Sequence, residues 1–311
     1  MSELTLGWIG TGRMGFELCR RLLSAGCNLT VYNRTLDKAT PLADLGASLA
    51  DTPAKLADRD IVFSIVSDPD ALLDVTVGSE GLFSAPGVAP RILVDSSTVS
   101  SEVSERVRKE AVKHGTELVA APVSGNPNVV AAGKLTVVVS GPRGAYEIAK
   151  PYLDMFGTGV AYVGEGDAAR LVKICHNLLL GVVTQSLAET LVLAERAGVS
   201  RKDFLDFINM SVMGCTFSRY KTPAFVKLDF KPSFTAHLLR KDFELGLEEG
   251  RKLGVPLPAA ALVHQLIVSL IGQGHGDVDF AALLKQAAAG AGLDLEPEPG
   301  PVADGLGRTY T

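Results

Sequence analysis

After Arg170, three polar side chains interrupt an otherwise apolar stretch at residues 170–181, RLVKICHNLLLG, and their types and spacing suit acid/base chemistry. Lys173, His176 and Asn177 are three and four residues apart, so on a helix they share one face as a polar stripe. Burial penalises the charged form of a lysine and lowers the pKa of its amine toward the range of about 7–8 that suits proton transfer. The stretch therefore predicts Lys173 as a general acid/base, with Asn177 placing Lys173 or its substrate.

Residues 7–15, GWIGTGRMG, contain glycines in G-x-G-x-x-G spacing between a strand pattern and a helix pattern. Gly10 would allow a tight turn, Gly12 a close approach of the backbone to a pyrophosphate, and Gly15 close packing of helix and strand. The free N–H groups of the following helix would face the anion. A merely structural turn is the alternative. The predicted dinucleotide loop comprises Gly10, Thr11, Gly12, Arg13, Met14 and Gly15.

The next predicted strand ends in VYNRT, with Asn33, Arg34 and Thr35 at the position where an acidic residue often binds the ribose 2′-hydroxyl of NAD. A neutral Asn stands there, and the Arg34 guanidinium can pair with a 2′-phosphate. The sequence therefore predicts that NADP(H) is preferred over NAD(H). An ordinary surface arginine is the alternative.

Short apolar runs alternate with helical patterns over residues 1–164, which predicts an α/β Rossmann domain with a doubly wound, mainly parallel sheet. The predicted strands are 4–10, 29–34, 61–66, 91–97, 117–125, 135–141 and 159–164. The predicted helices are 13–25, 53–58, 69–76, 99–114 and 143–156.

From about residue 165 the patterns are helical, which predicts an all-α domain over 165–293 that begins with a long interdomain helix. Because Lys173 lies near the start of this helix, directly after the nucleotide domain, we expect its stripe to face the reactive end of the cofactor. A snorkelling lysine is the alternative, and the role of His176, packing residue or participant, stays open. Extending the stripe reaches Gly181, which is expected to leave room beside it. Residues 294–311, rich in Pro and Gly, are predicted to be a flexible tail.

The composition excludes several other functions. The net charge is −5 with both signs interspersed, so no nucleic-acid partner is expected. No apolar run reaches the roughly 20 residues of a membrane span, and the N-terminus lacks a signal-peptide pattern. The four cysteines are scattered without metal-binding spacing, so we expect no metal site and a cytoplasmic location.

Six stretches, in the same order, resemble the β-hydroxyacid dehydrogenase family, which includes 3-hydroxyisobutyrate dehydrogenase and the glyoxylate/succinic semialdehyde reductases. The resemblance covers about residues 4–285 and implies NAD(P)-linked oxidation of a 3-hydroxy acid, or reduction of the matching aldehyde or ketone. The stretches are GWIGTGRMG with VYNRT, VDSSTVS (94–100), APVSGNPNVVAAGKL (121–135), GEGDAARLVKICHN (164–177), LLRKDFELGLEEGRKLGVPLP (238–258) and GQGHGDVDFAAL (272–283).

The resemblance also implies residue roles. Lys173 aligns with the catalytic lysine, and Thr98 and Lys241 align with cofactor contacts. The predicted binding residues for a small carboxylate substrate are Ser97, Ser124, Gly125, Asn126, Lys173, Asn177 and Asp242.

The chain departs from the family at two places: Asn126 stands where a second glycine is common, and His176 stands where an asparagine is common. Lys-x-x-His-Asn instead resembles 6-phosphogluconate dehydrogenase, for whose large helical domain this chain is too short. The exact substrate is therefore left open.

Two other functions are compatible with a nucleotide-binding domain. An NADPH-dependent imine reductase commonly has Asp or Tyr at the position of Lys173, and a nucleotide-binding sensor or scaffold without turnover commonly lacks the lysine. The apolar surface of the helical domain predicts a homodimer or homotetramer.

Overall fold

The computed structural model describes residues 4–311. These form two compact units, the first ending at Lys173 and the second comprising Ile174–Thr311. A six-stranded parallel sheet forms the centre of the first unit, in the order β3-β2-β1-β4-β5-β6. This is the strand order of the Rossmann fold, so the predicted fold class is confirmed. The strands are β1 (Leu6–Ile9), β2 (Leu29–Tyr32), β3 (Ser48–Ala50), β4 (Ile61–Ser64), β5 (Ile92–Asp95) and β6 (Glu117–Ala120).

A second, three-stranded sheet follows in the same unit, with β7 antiparallel and β9 parallel to the central β8. Its strands are β7 (Val123–Ser124), β8 (Leu135–Val139) and β9 (Gly157–Tyr162). The helices of this unit are α1 (Arg13–Ser24), α2 (Thr40–Ala43), α3 (Pro69–Val77), α4 (Ser101–Lys113), α5 (Pro127–Ala131) and α6 (Arg143–Asp154).

The parallel sheet is buried on both faces, as its continuous apolar strands predict. All four residues of β1, β4 and β5 are buried. Trp8 stacks on Phe63 with ring centroids 5.6 Å apart, and Phe156 meets both rings edge-on. Three short elements were not predicted: β3, α2 and α5 have three to five residues each, too few to show a period. The helix predicted over 53–58 is a 3₁₀ turn, Pro53–Leu56.

Six helices make up most of the rest of the chain, in agreement with the predicted helical domain. They are α7 (Ala168–Arg196), which runs across the boundary between the units, α8 (Arg201–Met210), α9 (Thr216–Lys227), α10 (Ala236–Leu253), α11 (Pro258–Leu270) and α12 (Leu283–Gly290). By length and composition α7 meets the criteria of a membrane-spanning helix, with a mean hydropathy of 1.4 in its most apolar window. The buried core helices of soluble proteins meet the same criteria.

Two glycines let α7 and α10 approach closely within the second unit. A Cβ added at Gly181 would lie 2.4 Å from two ring atoms of Phe243, and one added at Gly246 would lie 2.7 Å from a methyl carbon of Leu178. Phe243 is fully buried. The expectation that Gly181 leaves room beside the polar stripe is therefore wrong, because the ring of Phe243 fills that room.

A buried ion pair joins α9 to the turn before α12. The Lys221 ammonium lies 2.5 Å from Asp279 Oδ1, while Ser233 donates its hydroxyl and its N–H to Asp279 Oδ2. Burial alone would raise the pKa of Asp279, but the Lys221 ammonium and these donors hold it below its usual value. Both side chains are nearly inaccessible to solvent.

Residues 294–311 differ from the predicted flexible tail, because buried contacts hold them to the helices. Val302 packs in the helical core, and β10 (Val302–Ala303) pairs with β11 (Thr309–Tyr310). Glu298 accepts the backbone N–H groups of Arg201 and Lys202 at the start of α8. The Pro- and Gly-rich composition predicted turns correctly, but it carried no sign of these tertiary partners.

Candidate active site

The glycine loop between β1 and α1 has the geometry that its spacing predicts. Gly10 has a φ of 95°, which favours glycine, and a Cβ there would lie 2.2 Å from the carbonyl oxygen of Ile65. A Cβ at Gly15 would lie 1.9 Å from the carbonyl oxygen of Gly10, so only glycine allows this contact of helix and turn. Gly12 has open space around its added Cβ, which leaves its backbone accessible to a ligand.

The start of α1 fits a bound anion. Gly12 is the N-cap residue and has no side chain to occupy the first N–H groups, and the first turn contains no acidic residue. Thr11 beside it is 2% exposed, and its Oγ1 has no hydrogen-bond partner within residues 4–311. A pyrophosphate placed at this turn would meet the N–H groups of the helix start and the Thr11 hydroxyl. Arg13 and Met14 belong to the same first turn.

Asn33, directly after β2, braces the glycine loop. Its Oδ1 accepts the Thr11 N–H at 2.9 Å, and its Nδ2 donates to the Thr35 carbonyl at 2.8 Å. A carboxylate at this position would lack the second of these bonds, because it has no donor. The side chains of Arg34 and Thr35 are exposed beside it. The strand end therefore presents an arginine to solvent and no acidic side chain among residues 33–35.

The side chain of Ser97, a predicted substrate contact, is buried and makes hydrogen bonds within the protein. Ser97 is 1% exposed, its hydroxyl donates to Asp95 Oδ1 at 2.8 Å, and its Oγ accepts the Val66 N–H at 3.0 Å. Ser64 donates to the same carboxylate oxygen at 2.5 Å. These bonds hold the segment that follows β5, on which the predicted cofactor contact Thr98 is the next residue. The motif VDSSTVS showed hydroxyls, but not which of them the buried Asp95 would use.

Arg170, which the sequence reasoning missed, reaches the same buried group. Its Nη2 lies 2.8 Å from Asp95 Oδ2, and its Nη1 donates to the Ser97 carbonyl at 2.7 Å. Its Nε donates to Ser104 Oγ at 2.8 Å. The one available signal was a charged residue in the mainly apolar first turns of α7, three positions before Lys173.

The predicted carboxylate loop contains Ser124 at the end of β7, followed by Gly125 and Asn126. Gly125 has a φ of 145°, and a Cβ there would lie 2.7 Å from Leu135 and 2.8 Å from Val129. Asn126 is the N-cap of α5, where its Oδ1 accepts the Val129 N–H at 3.0 Å. That oxygen is therefore used within the loop. Ser124 is half-buried.

Lys173 is half-buried on α7, four residues before Asn177, which is 2% exposed. The Asn177 amide donates to Asp242 Oδ2 at 2.5 Å, and its Oδ1 lies 2.9 Å from His176 Nδ1. Asp242 on α10 is equally buried, and its Oδ1 lies 3.4 Å from the Lys241 ammonium. The structure thus connects His176 and Asn177 of the polar stripe to Asp242 and Lys241, which only the family resemblance had indicated, and makes His176 a hydrogen-bond partner of Asn177.

Both halves of the chain match known protein families. Residues 5–164 match the family described as the NAD binding domain of 6-phosphogluconate dehydrogenase. Residues 166–287 match the family described as NAD-binding of NADP-dependent 3-hydroxyisobutyrate dehydrogenase. Together these matches cover the glycine loop, the carboxylate loop and the Lys173 helix.

Individual relatives are similar over almost their whole length. An uncharacterized oxidoreductase of Bacillus subtilis, YfjR, is 36% identical over 89% of this chain and 97% of its own. A probable mitochondrial 3-hydroxyisobutyrate dehydrogenase-like protein of Arabidopsis thaliana is 33% identical over 91% of this chain and 85% of its own. The structure of the Mycobacterium tuberculosis 3-hydroxyisobutyrate dehydrogenase with L-serine has a TM-score of 0.78 at 26% identity, covering 91% of this chain and 98% of that one.

Proposed function

The chain belongs to the β-hydroxyacid dehydrogenase family, and from that premise we propose that it interconverts a small 3-hydroxy acid and its semialdehyde or keto acid, with NADP(H) as cofactor. Membership makes the protein an NAD(P)-dependent oxidoreductase. The observation that carries the proposal is the arrangement on α7, where half-buried Lys173 precedes the buried Asn177–Asp242 pair by one turn.

NADPH, when bound, supplies the hydride that reduces the carbonyl carbon of the substrate. In that direction Lys173 Nζ donates a proton to the carbonyl oxygen, and in the oxidative direction Nζ accepts the proton from the hydroxyl. The ammonium also stabilises the negative charge that develops on this oxygen. Asn177 donates one amide hydrogen to Asp242, which leaves the second for a substrate oxygen.

For the substrate we propose a small molecule whose carboxylate is bound by Ser124. Gly125, next to Ser124, cannot easily carry a side chain, since an added Cβ would meet Leu135 and Val129, so its exposed backbone stays uncovered beside the proposed carboxylate. The Mycobacterium tuberculosis relative was solved with L-serine, which is itself a 3-hydroxy acid. This supports a substrate in which hydroxyl and carboxylate are separated by two carbons.

The preference for NADP(H) is proposed from the end of β2. Arg34 and Thr35 are exposed there, where a guanidinium and a hydroxyl can bind a 2′-phosphate. Asn33 is committed to the glycine loop and adds no negative charge. A 2′-phosphate therefore meets an attractive side chain and no acidic one among residues 33–35.

The test is a panel of glyoxylate, succinic semialdehyde, methylmalonate semialdehyde, tartronate semialdehyde and a cyclic imine, each assayed with NADPH and with NADH. We expect turnover of at least one semialdehyde and little of the imine. In Lys173→Met, kcat should fall by about 10²–10⁴-fold while the Kd of NADPH stays within about twofold. The matched control Lys55→Met removes an exposed lysine and should leave both constants unchanged. NADPH binding without turnover of any compound would favour a sensor instead.

We also propose a homodimer or homotetramer. Apolar side chains of the second unit are exposed on α7 and α11, among them Leu179 at 63%, Leu193 at 70% and Leu262 at 64%. Size-exclusion chromatography with light scattering would measure the molar mass of the assembly, and a monomer at micromolar concentration would contradict the proposal.

A further inference from the structure

Arg170 makes three directed contacts from the first turn of α7. Its guanidinium reaches Asp95 at the end of β5, the Ser97 carbonyl in the following segment, and Ser104 on α4. Arg170 is 4% exposed and Asp95 is fully buried. The three contacts use Nε, Nη1 and Nη2, so the position and the plane of the guanidinium are both fixed.

The location of this arginine is unfavourable in two respects. A positive charge in the first turn of a helix opposes the helix dipole. Burial of both Arg170 and Asp95 also incurs a desolvation cost that well-packed apolar residues would avoid. An ion pair with Asp167, whose Oδ1 lies 3.5 Å from Arg170 Nε, offsets part of these costs. The three directed hydrogen bonds are accounted for by a requirement for fixed geometry.

The geometry fixed by Arg170 concerns residues of the proposed reaction. Lys173 lies three residues after Arg170, about 4.5 Å along the helix axis. Thr98 directly follows Ser97, whose carbonyl Arg170 holds. The start of α7 is further held by Ser140 Oγ, which accepts the Ala169 N–H at 2.9 Å.

We infer that Arg170 is a positioning residue, which fixes the first turn of α7, and with it Lys173, against the segment that carries Thr98. This inference rests on the proposed role of Lys173. Loss of the three contacts lets the helix start move, and a misplacement of about 1 Å costs on the order of 100-fold in rate. Binding of the nucleotide phosphates, at residues 10–15 and 33–35, does not depend on these contacts.

The test compares Arg170→Lys, which keeps the charge but loses the fork, with Ser104→Ala, which removes one of the three contacts. In Arg170→Lys we expect kcat to fall by about 10–100-fold, with KM and the Kd of NADPH within about threefold. Ser104→Ala should lower kcat by about threefold. Hydrogen exchange of a peptide over residues 168–178 should be faster in both variants, a readout that needs no substrate.

Arg201→Lys is the matched control, because Arg201 is a fully buried arginine whose fork binds backbone carbonyls of Phe225 and Val226. It should lose comparable stability but keep kcat within twofold below its unfolding temperature. Equal losses of kcat in Arg170→Lys and Arg201→Lys would overturn the inference, as would wild-type kcat in Arg170→Lys. If Arg170→Lys does not fold, wild-type kcat and exchange in Ser104→Ala overturn it.

The two proposals can fail separately. No turnover by the wild type, on any compound of the panel, defeats the proposed function. Wild-type exchange over 168–178 in both variants defeats the positioning role alone, whatever the substrate.

Discussion

Gly181 offers a test of whether the space beside the polar stripe of α7 belongs to a ligand or to the core. In Gly181→Ala the new Cβ would lie 2.4 Å from two ring atoms of Phe243, whereas ordinary carbon contacts begin near 3.5 Å. The ring or the helix must therefore move by about 1 Å. Phe243 is fully buried, so it has no solvent-filled space into which to turn.

Overpacking of this kind costs about 1–3 kcal/mol, and alanine returns up to about 1 kcal/mol of helix propensity over glycine. We expect a net loss of about 1–2 kcal/mol in the free energy of unfolding of the second unit. Calorimetry should show its transition lowered by roughly 3–8 °C. The substrate KM should remain near the wild-type value, because the added methyl group meets the core.

Two further variants sharpen this measurement. Gly290→Ala, at a helical glycine whose added Cβ meets nothing within 4 Å, should be neutral or slightly stabilising. Phe243→Leu should destabilise alone but less in the Gly181→Ala background, with a coupling energy of about 1 kcal/mol. Unchanged stability of Gly181→Ala together with a raised KM would refute the reasoning and return Gly181 to the substrate site.

Three more outcomes are expected. Arg34→Asp should reverse the cofactor preference, lowering kcat/KM with NADPH by roughly 10²-fold while NADH is affected less, and an unchanged NADPH preference in steady-state kinetics would rule out Arg34 as the phosphate contact. Because Asp279 has a lowered pKa in the folded protein, its contribution to stability is present above roughly pH 4 and is lost as the pH falls through the folded-state value. The free energy of unfolding, measured by urea titration at several pH values between about 5 and 2, should therefore depend less on pH in the double variant Lys221→Met/Asp279→Leu than in the wild type. Glu298→Ala removes the acceptor of two N–H groups at the start of α8 and should cost about 1–2 kcal/mol, with faster proteolysis of residues 294–311; a rate of proteolysis equal to that of the wild type would show that Glu298 does not hold this segment.

The parts of the molecule that the sequence predicted well are those governed by local pattern. The seven predicted apolar runs fall on eight of the nine strands of the first unit, because 117–125 covers both β6 and β7, and long helical patterns predicted α7 and α10. The sequence predicted both the glycine loop and the steric role of Gly10 and Gly15, since the turn at Gly10 and the contact at Gly15 follow from the absence of a side chain. Sterics of this kind act within a few residues and can be read from spacing.

Polar partners could not be predicted in the same way, because they depend on residues distant in sequence. Arg170 and Asp95 are 75 residues apart, and Asn177 and Asp242 are 65 apart. The hydroxyl of Ser97 was available by type for a substrate, yet the buried Asp95 uses it. Glu298 shows the same limit, since nothing around it indicated that it would cap α8.

Lys173 is bracketed along α7 by two buried carboxylate contacts. Three residues before it, Arg170 meets Asp95 within the first unit, and four residues after it, Asn177 meets Asp242 within the second. A rotation of the helix by one residue, about 100°, would break both contacts. Asp95 would keep its Ser64 and Ser97 donors but lose its cationic partner, and Asp242 would lose its amide donor. The direction of the Lys173 side chain is therefore specified from both sides along the chain. A proton carrier needs this constraint more than a packing residue does, because its rate depends on sub-ångström placement whereas burial of apolar area tolerates small shifts.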